Sequence, residues 1–159
     1  MCTELRLCSI FCAFHESKKS TMSCVVCIEG DDFDVDAALP RLALESPLLR
    51  YLAVRRGEAH RRGNQVLVAA ESSLNFEISP AFFAHLSSEL PLIRQFLRAQ
   101  SPTFSWLTSA PGVQRAYIQV VMQLRDVAKF PQEDEALPDD IIRLLAMSGL
   151  RLRVSFSSE

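Results

Sequence analysis

The stretch SCVVCIEGDDFDVDAALPRLAL, Ser23 to Leu44, decides the fold. SCVVCIE is a compact β-prone run, Gly30 turns the chain, and Glu29, Asp31, Asp32, Asp34 and Asp36 crowd five carboxylates into eight residues. Asp34 stands just before VDAALPRLAL, where a side-chain oxygen accepts from the free backbone N–H groups of a first helical turn. Asp36 adds favourable charge in that turn. Asp32, Asp34 and Asp36 also open like a calcium loop, but such a loop needs Gly at its sixth position and Glu at its twelfth. Ala37 and Ala43 stand there. The acids therefore start a helix, which Pro40 limits to one or two turns around Leu39 and Leu42.

Outward from this unit the chain alternates strands and helices. QVLVAA (65–70) reads as a second strand. RAYIQVVMQL (115–124) reads as a third, with Ala116, Ile118, Val120, Met122 and Leu124 on one face. In LRLRVSF (150–156), Leu150, Leu152, Val154 and Phe156 alternate with Arg151, Arg153 and Ser155, the pattern of a sheet with one dry and one wetter face. Before it, LPDDIIRLLAMSGL puts Pro138, Asp139 and Asp140 at a helix start and Gly149 at a left-handed cap. SPAFFAHLSSEL opens with Ser79 as N-cap, and Pro91 restarts a second piece, PLIRQFLRAQ. Phe82, Phe83, Leu86, Ile93, Phe96 and Leu97 give these pieces one apolar face. DVDAALPRLAL and PDDIIRLLAMSGL echo one another as acid-started helices. Two such units predict an α+β fold: a four-stranded, largely antiparallel, ferredoxin-like sheet with the Ser79–Gln100 helical segment inserted between its halves.

At 159 residues with 48% apolar side chains, one domain suffices. The net charge of -2 lacks the basic excess of a general nucleic-acid binder. No apolar run approaches the roughly 18–20 residues of a membrane span. All five cysteines, Cys2, Cys8, Cys12, Cys24 and Cys27, fall in the first 27 residues; an odd count closes no disulfide framework and fits a reducing, cytoplasmic compartment. Residues 1–21, with Glu4 and Arg6 before a short apolar patch, make a poor secretory signal. They read as an accessory, poorly ordered arm before a single domain at 22–159.

No catalytic or cofactor motif is legible. The glycines are too dispersed for a phosphate loop, and HExxH is absent. His85 and Glu89 are four apart, the spacing of an ordinary helix-surface pair. Cys24 and Cys27 form a CxxC, but three residues along a strand aim them at opposite faces, so no metal is expected. The best surface candidate is RYLAVRRGEAHRRG: five arginines against Glu58 give Arg50–Arg62 a local charge of +4. Arg55, Arg56, Arg61 and Arg62, with His60 among them, form a glycine-punctuated loop able to grip phosphate or carboxylate groups. The alternative is a solvated loop partly neutralised by the acidic turn. Trp106 is a second candidate contact.

GDDFDVDAALPRLAL, Pro47, the RRGE at Arg55–Glu58 and LPDDIIRLLAMSGLRLRVSF together resemble an uncharacterised bacterial family known as domain of unknown function 4279. Its members begin with a strand, Gly-Asp-Asp-hydrophobic-Asp, a short helix and a basic-Gly turn, and finish with a Pro-started helix leading into a strand. The resemblance spans Cys24 to Phe156, although NQVLVAA lacks the Trp such proteins often carry in the second strand. It implies an α+β fold and bacterial origin, and brings no catalytic residues. The expected function is a non-catalytic protein-binding module, with an acidic partner for the arginine loop. The alternatives are a small-ligand or phosphate-binding protein using loop 55–62, and then a hydrolase.

Overall fold

β1 (Cys24–Gly30) is buried along its whole length and runs down the middle of the main sheet. Cys24, Val26 and Ile28 belong to the main core, while Val25 and Cys27 cluster with Tyr117 on the other face. A strand covered on both sides is a continuous apolar run in sequence. The computed structural model of the chain describes residues 24–62, 65–79, 86–123 and 137–157. The arm expected at 1–21, together with Phe82, Phe83 and His85, lies outside them.

From β1 the chain enters α1 (Val35–Glu45), and Asp34 caps it as expected, accepting from the Ala37 N–H at 3.0 Å. The helix runs eleven residues, through Pro40, rather than one or two turns. Pro40 removes the hydrogen bond to the Asp36 carbonyl, and both residues are on the exposed side. An interior proline costs about 3 kcal/mol. Burying Val35 and Leu42 contributes about 1.5–3 kcal/mol each, so the inner face holds the helix together across the defect.

β2 (Tyr51–Val54) follows, then a hairpin of β3 (Ala59–Arg62) and β4 (Gln65–Val68), then β5 (Ser72–Ser79). α2 (Leu86–Leu107) is one helix of 22 residues rather than two pieces, with Pro91 and Pro102 on its exposed side. Its buried stripe, Glu89, Ile93, Leu97, Ser101, Phe104 and Leu107, recurs at three- and four-residue steps. Ser79 ends β5, and residues 80–85, where the helix expected after it would begin, lie outside the described residues. β6 (Arg115–Gln123), α3 (Asp139–Ser148) and β7 (Arg151–Ser157) complete the order. Gly149 takes φ 67° past α3, and its N–H and that of Leu150 return to the Ala146 and Leu145 carbonyls, as the sequence predicts.

The main sheet has the order β2-β5-β1-β6-β7. β1 is antiparallel to β5 and β6, β2 is antiparallel to β5, and β7 is parallel to β6. Two β-α-β units thus interlock: β1 and β2 flank β5, and β5 and β6 flank β1. The chain is α+β, but the four-stranded, largely antiparallel ferredoxin-like sheet is corrected to a mixed five-stranded one. QVLVAA does not join it. Val66 and Val68 stand 63% and 61% exposed on the separate hairpin, and β5 takes the expected place beside β1. α2 is the crossover between two neighbours of β1, not an insertion. The parallel edge pair follows from α3 feeding straight into β7, since a crossover helix returns the chain in the same direction.

All three helices among the described residues cover one sheet face, where Phe76 meets Phe104 edge-on at 5.2 Å and Phe96 packs 5.5 Å from Phe104. Arg94 joins α2 to α3 through Asp140 at 2.6 Å. Across a narrow gap, the turn after β1 meets the turn before β6: a side chain on Gly112, at φ 82°, would run into the Asp32 and Phe33 backbone. Among the described residues no helix is long and apolar enough to cross a membrane.

Candidate functional site

In the arginine loop, Arg55 is matched internally. Arg55 directs Nε and Nη2 at the two carboxylate oxygens of Asp36 on α1, at 2.9 and 2.6 Å. That fork holds the Asp36 carboxyl below its ordinary range and raises the Arg55 pKa. The turn is closed by its own backbone: Arg55 N–H donates to Glu58 Oε2, Gly57 N–H to the Ala69 carbonyl, and Arg56 N–H to Ser72 Oγ. Arg56 is exposed. His60 is buried in β3, opposite Leu67, and does not share a solvent cleft with Arg55. Arg61 and Arg62 continue β3, and their side chains lie outside the described residues. Asp36 of the acidic stretch neutralises Arg55, and Trp106 stands apart from this loop.

Trp106 sits elsewhere, near the end of α2, in a built setting. Its indole N–H donates to Glu45 Oε2 at 2.5 Å, and the Arg41 guanidinium lies 4.2 Å from its ring centroid. Arg41 Nε closes the triangle on Glu45 Oε1 at 2.7 Å, one helical turn along α1. The Arg41 bond, with the indole, keeps the Glu45 carboxyl below its usual range. Two clefts have Arg41, Trp106 and Ser109 in their walls. One, of about 770 Å³, is bounded by Pro47, Leu48 and Pro102; the other, of about 500 Å³, by Asp34, Ala37 and Pro111. Polar groups form the base of the larger cleft: Ser46 Oγ donates to Gln100 Oε1 at 2.9 Å and lies 2.8 Å from Thr103 Oγ1. Leu48 is 94% exposed at its rim.

No family model, curated protein or solved structure matches the chain. The arrangement therefore has to be read from its own chemistry. A stacked cation, a fixed indole and an open, partly apolar groove recognise shape and apolar surface. They include no nucleophile with a neighbouring base. Sequence reasoning found Trp106 but not Arg41, Glu45 and Leu48. The i,i+4 pair Arg41–Glu45 was a legible sign of an organised helix face; its meeting with Trp106 was not, because that contact joins different helices.

A second polar assembly lies on the sheet face away from the helices. Glu29 is only 3% exposed; Tyr117 Oη donates to its Oε1 at 2.9 Å and Arg115 Nε to its Oε2 at 3.1 Å. Arg115 Nη2 donates to Glu71 at 2.5 Å. Burial pushes the Glu29 pKa up, and Tyr117 and Arg115 offset only part of that. Burial likewise pushes the Tyr117 hydroxyl well above its ordinary value. Cys24, on the opposite face, is a poor nucleophile, its thiol raised by burial and then by Glu89. Glu89 itself is buried on α2 rather than on the helix surface where the His85–Glu89 spacing suggests it, and His85 lies outside the described residues.

Proposed function

We propose that the chain is a non-catalytic interaction module of the bacterial cytoplasm that holds a segment of a partner protein in the groove beside Trp106. The segment enters with a bulky apolar side chain. The observation that carries this reading is the fixing of Trp106 from two sides by Glu45 and Arg41, beside the exposed Leu48. An aromatic side chain already held in place loses little freedom on binding, and Trp and Arg are the residue types that dominate interface energetics. The reading asks for an apolar anchor rather than an acidic one, because Arg41 is matched by Glu45 and Arg55 by Asp36. Membership of the bacterial family that the sequence resembles is proposed with it. That proposal rests on the sequence pattern of Gly30, Asp34, Arg55–Glu58 and the Pro138-started helix.

Trp106 is the single tryptophan, so its emission reports on the groove directly. Panning a displayed random peptide library against the protein is expected to select segments sharing a bulky apolar residue. Their titration should shift Trp106 emission. Leu48→Glu, at an exposed position, should weaken them about tenfold without changing Tm. Selected peptides that leave the emission unmoved and bind the Leu48→Glu variant equally well would refute the groove as the binding site.

A further inference from the structure

On the open face of the sheet, β6 and β7 run parallel with Tyr117 level with Arg151 and Gln119 level with Arg153. Residues two apart on a strand share a face, so Arg115 belongs to the same surface. Gly149, two residues before Arg151, adds no side chain to it. At the start of β6 and β7 lies a cleft of about 320 Å³ lined by Thr108, Gln114, Arg115, Tyr117, Arg151 and Arg153, and by Val113, Ala116 and Leu152, which also pack against the helix-side core.

The charge in this cleft is unbalanced. Arg115 is matched by Glu29 and Glu71. Among the described residues Arg151 and Arg153 pair with no carboxylate, and Arg153 lies 5.6 Å from the Tyr117 ring centroid. Two guanidinium groups thus stand at one mouth, their Cα atoms about 6.6 Å apart along the strand, a spacing from which long side chains converge on one group. A carboxylate is filled by one arginine fork; a phosphate dianion has oxygens enough for two.

We infer that this cleft binds a small phosphomonoester, its phosphate held by Arg151 and Arg153 at the mouth and its body against the Val113–Leu152 wall. Arg115 is tied to Glu29 and Glu71 and leaves the phosphate to the other two arginines. A volume near the lower end of the roughly 300–1,000 Å³ usual for ligand sites matches a small molecule. This site is separate from the Trp106 groove, and its test reads out separately.

Thermal melts and calorimetric titrations at fixed ionic strength compare phenyl phosphate, inorganic phosphate, benzoate and succinate. Phenyl phosphate is expected to bind saturably and raise Tm, more tightly than inorganic phosphate and far more tightly than either carboxylate, with Trp106 emission unmoved. Arg151→Gln and Arg153→Gln should each weaken it about tenfold. Both side chains are exposed, so the unliganded melts should match wild type. Arg151→Lys combined with Arg153→Lys keeps the charge but not the forks, and should recover only part of the affinity. Carboxylates binding as well as phenyl phosphate, undiminished affinity in the Gln variants, inorganic phosphate binding as tightly as the ester, or no saturable shift at millimolar ligand would each overturn the assignment.

Discussion

Gly112 and Gly57 have nearly the same left-handed backbone, φ 82° and 81°, in opposite surroundings, and alanine at each separates strain from collision. Around Gly57 nothing lies within 4 Å of an added Cβ, so Gly57→Ala carries only the left-handed penalty, about 1 kcal/mol. At Gly112 the added carbon falls 2.6 Å from the Phe33 nitrogen and closer still to the Asp32 carbonyl oxygen. Both obstacles are main chain, so the two turns must part. Parting them strains the hydrogen bonds from Phe33 N–H to the Gly30 carbonyl, 3.4 Å, and from Gln114 N–H to the Glu29 carbonyl, 2.9 Å. At about 1 kcal/mol for each bond, added to the backbone strain, Gly112→Ala should cost about 3 kcal/mol. For a chain of this size that lowers Tm by about 6–12 °C. Calorimetric melts of the two variants side by side provide the measurement. Equal destabilisation by Gly112→Ala and Gly57→Ala would refute the close approach of the turns.

Three further outcomes follow from other contacts. Asp34→Ala should lower the urea midpoint by the equivalent of about 1 kcal/mol, and an unchanged midpoint would show that the cap contributes nothing. Burial raises the folded-state pKa of Glu29 above its unfolded value, so the folded protein keeps that proton to higher pH. Its contribution is full below the unfolded pKa and is lost as pH rises through the raised one. Glu29→Gln should flatten this fall in urea titrations from acid to neutral pH; a wild type that gains stability relative to the variant across that window contradicts the sign. Arg55→Ser should leave Tm close to wild type, since the Asp36 pair is exposed, and a large drop would make the loop structural rather than solvated.

Elements with a clean period were legible: β1, β6, β7 and α3 all stand where their alternation or capping residues put them. β5 was not, because SSLNFEIS interleaves Leu74 and Phe76 with Ser73 and Asn75, polar residues that resemble a turn yet are buried on the open face of the sheet. Conversely QVLVAA looks like a core strand, and its valines face solvent. Pro40 and Pro91 were read as breaks by local rules, but tertiary burial on the opposite side of each helix outweighs one lost hydrogen bond. The candidate sites divide the same way. Charge density at Arg50–Arg62 is visible in one dimension; the Asp36 partner that absorbs Arg55 is not. Arg151 and Arg153 were visible as the outer face of a strand, but their lack of acidic neighbours among the described residues depends on what lies beside β7.

The central position of β1 bears on how the chain acquires its structure during synthesis. Cys24 pairs with Ser79 on one side and with Val120 on the other. The first of the described strands to be made therefore lacks one neighbour until β6 is complete. At about 5–20 residues per second, roughly 5–20 s separate completion of β1 from completion of β6. Throughout that interval the edge of Val25–Ile28 that pairs with β6 has no partner strand, even once β5 has been made. Pairings this distant along the chain are the kind that slow folding, because loop closure costs entropy before the strands meet.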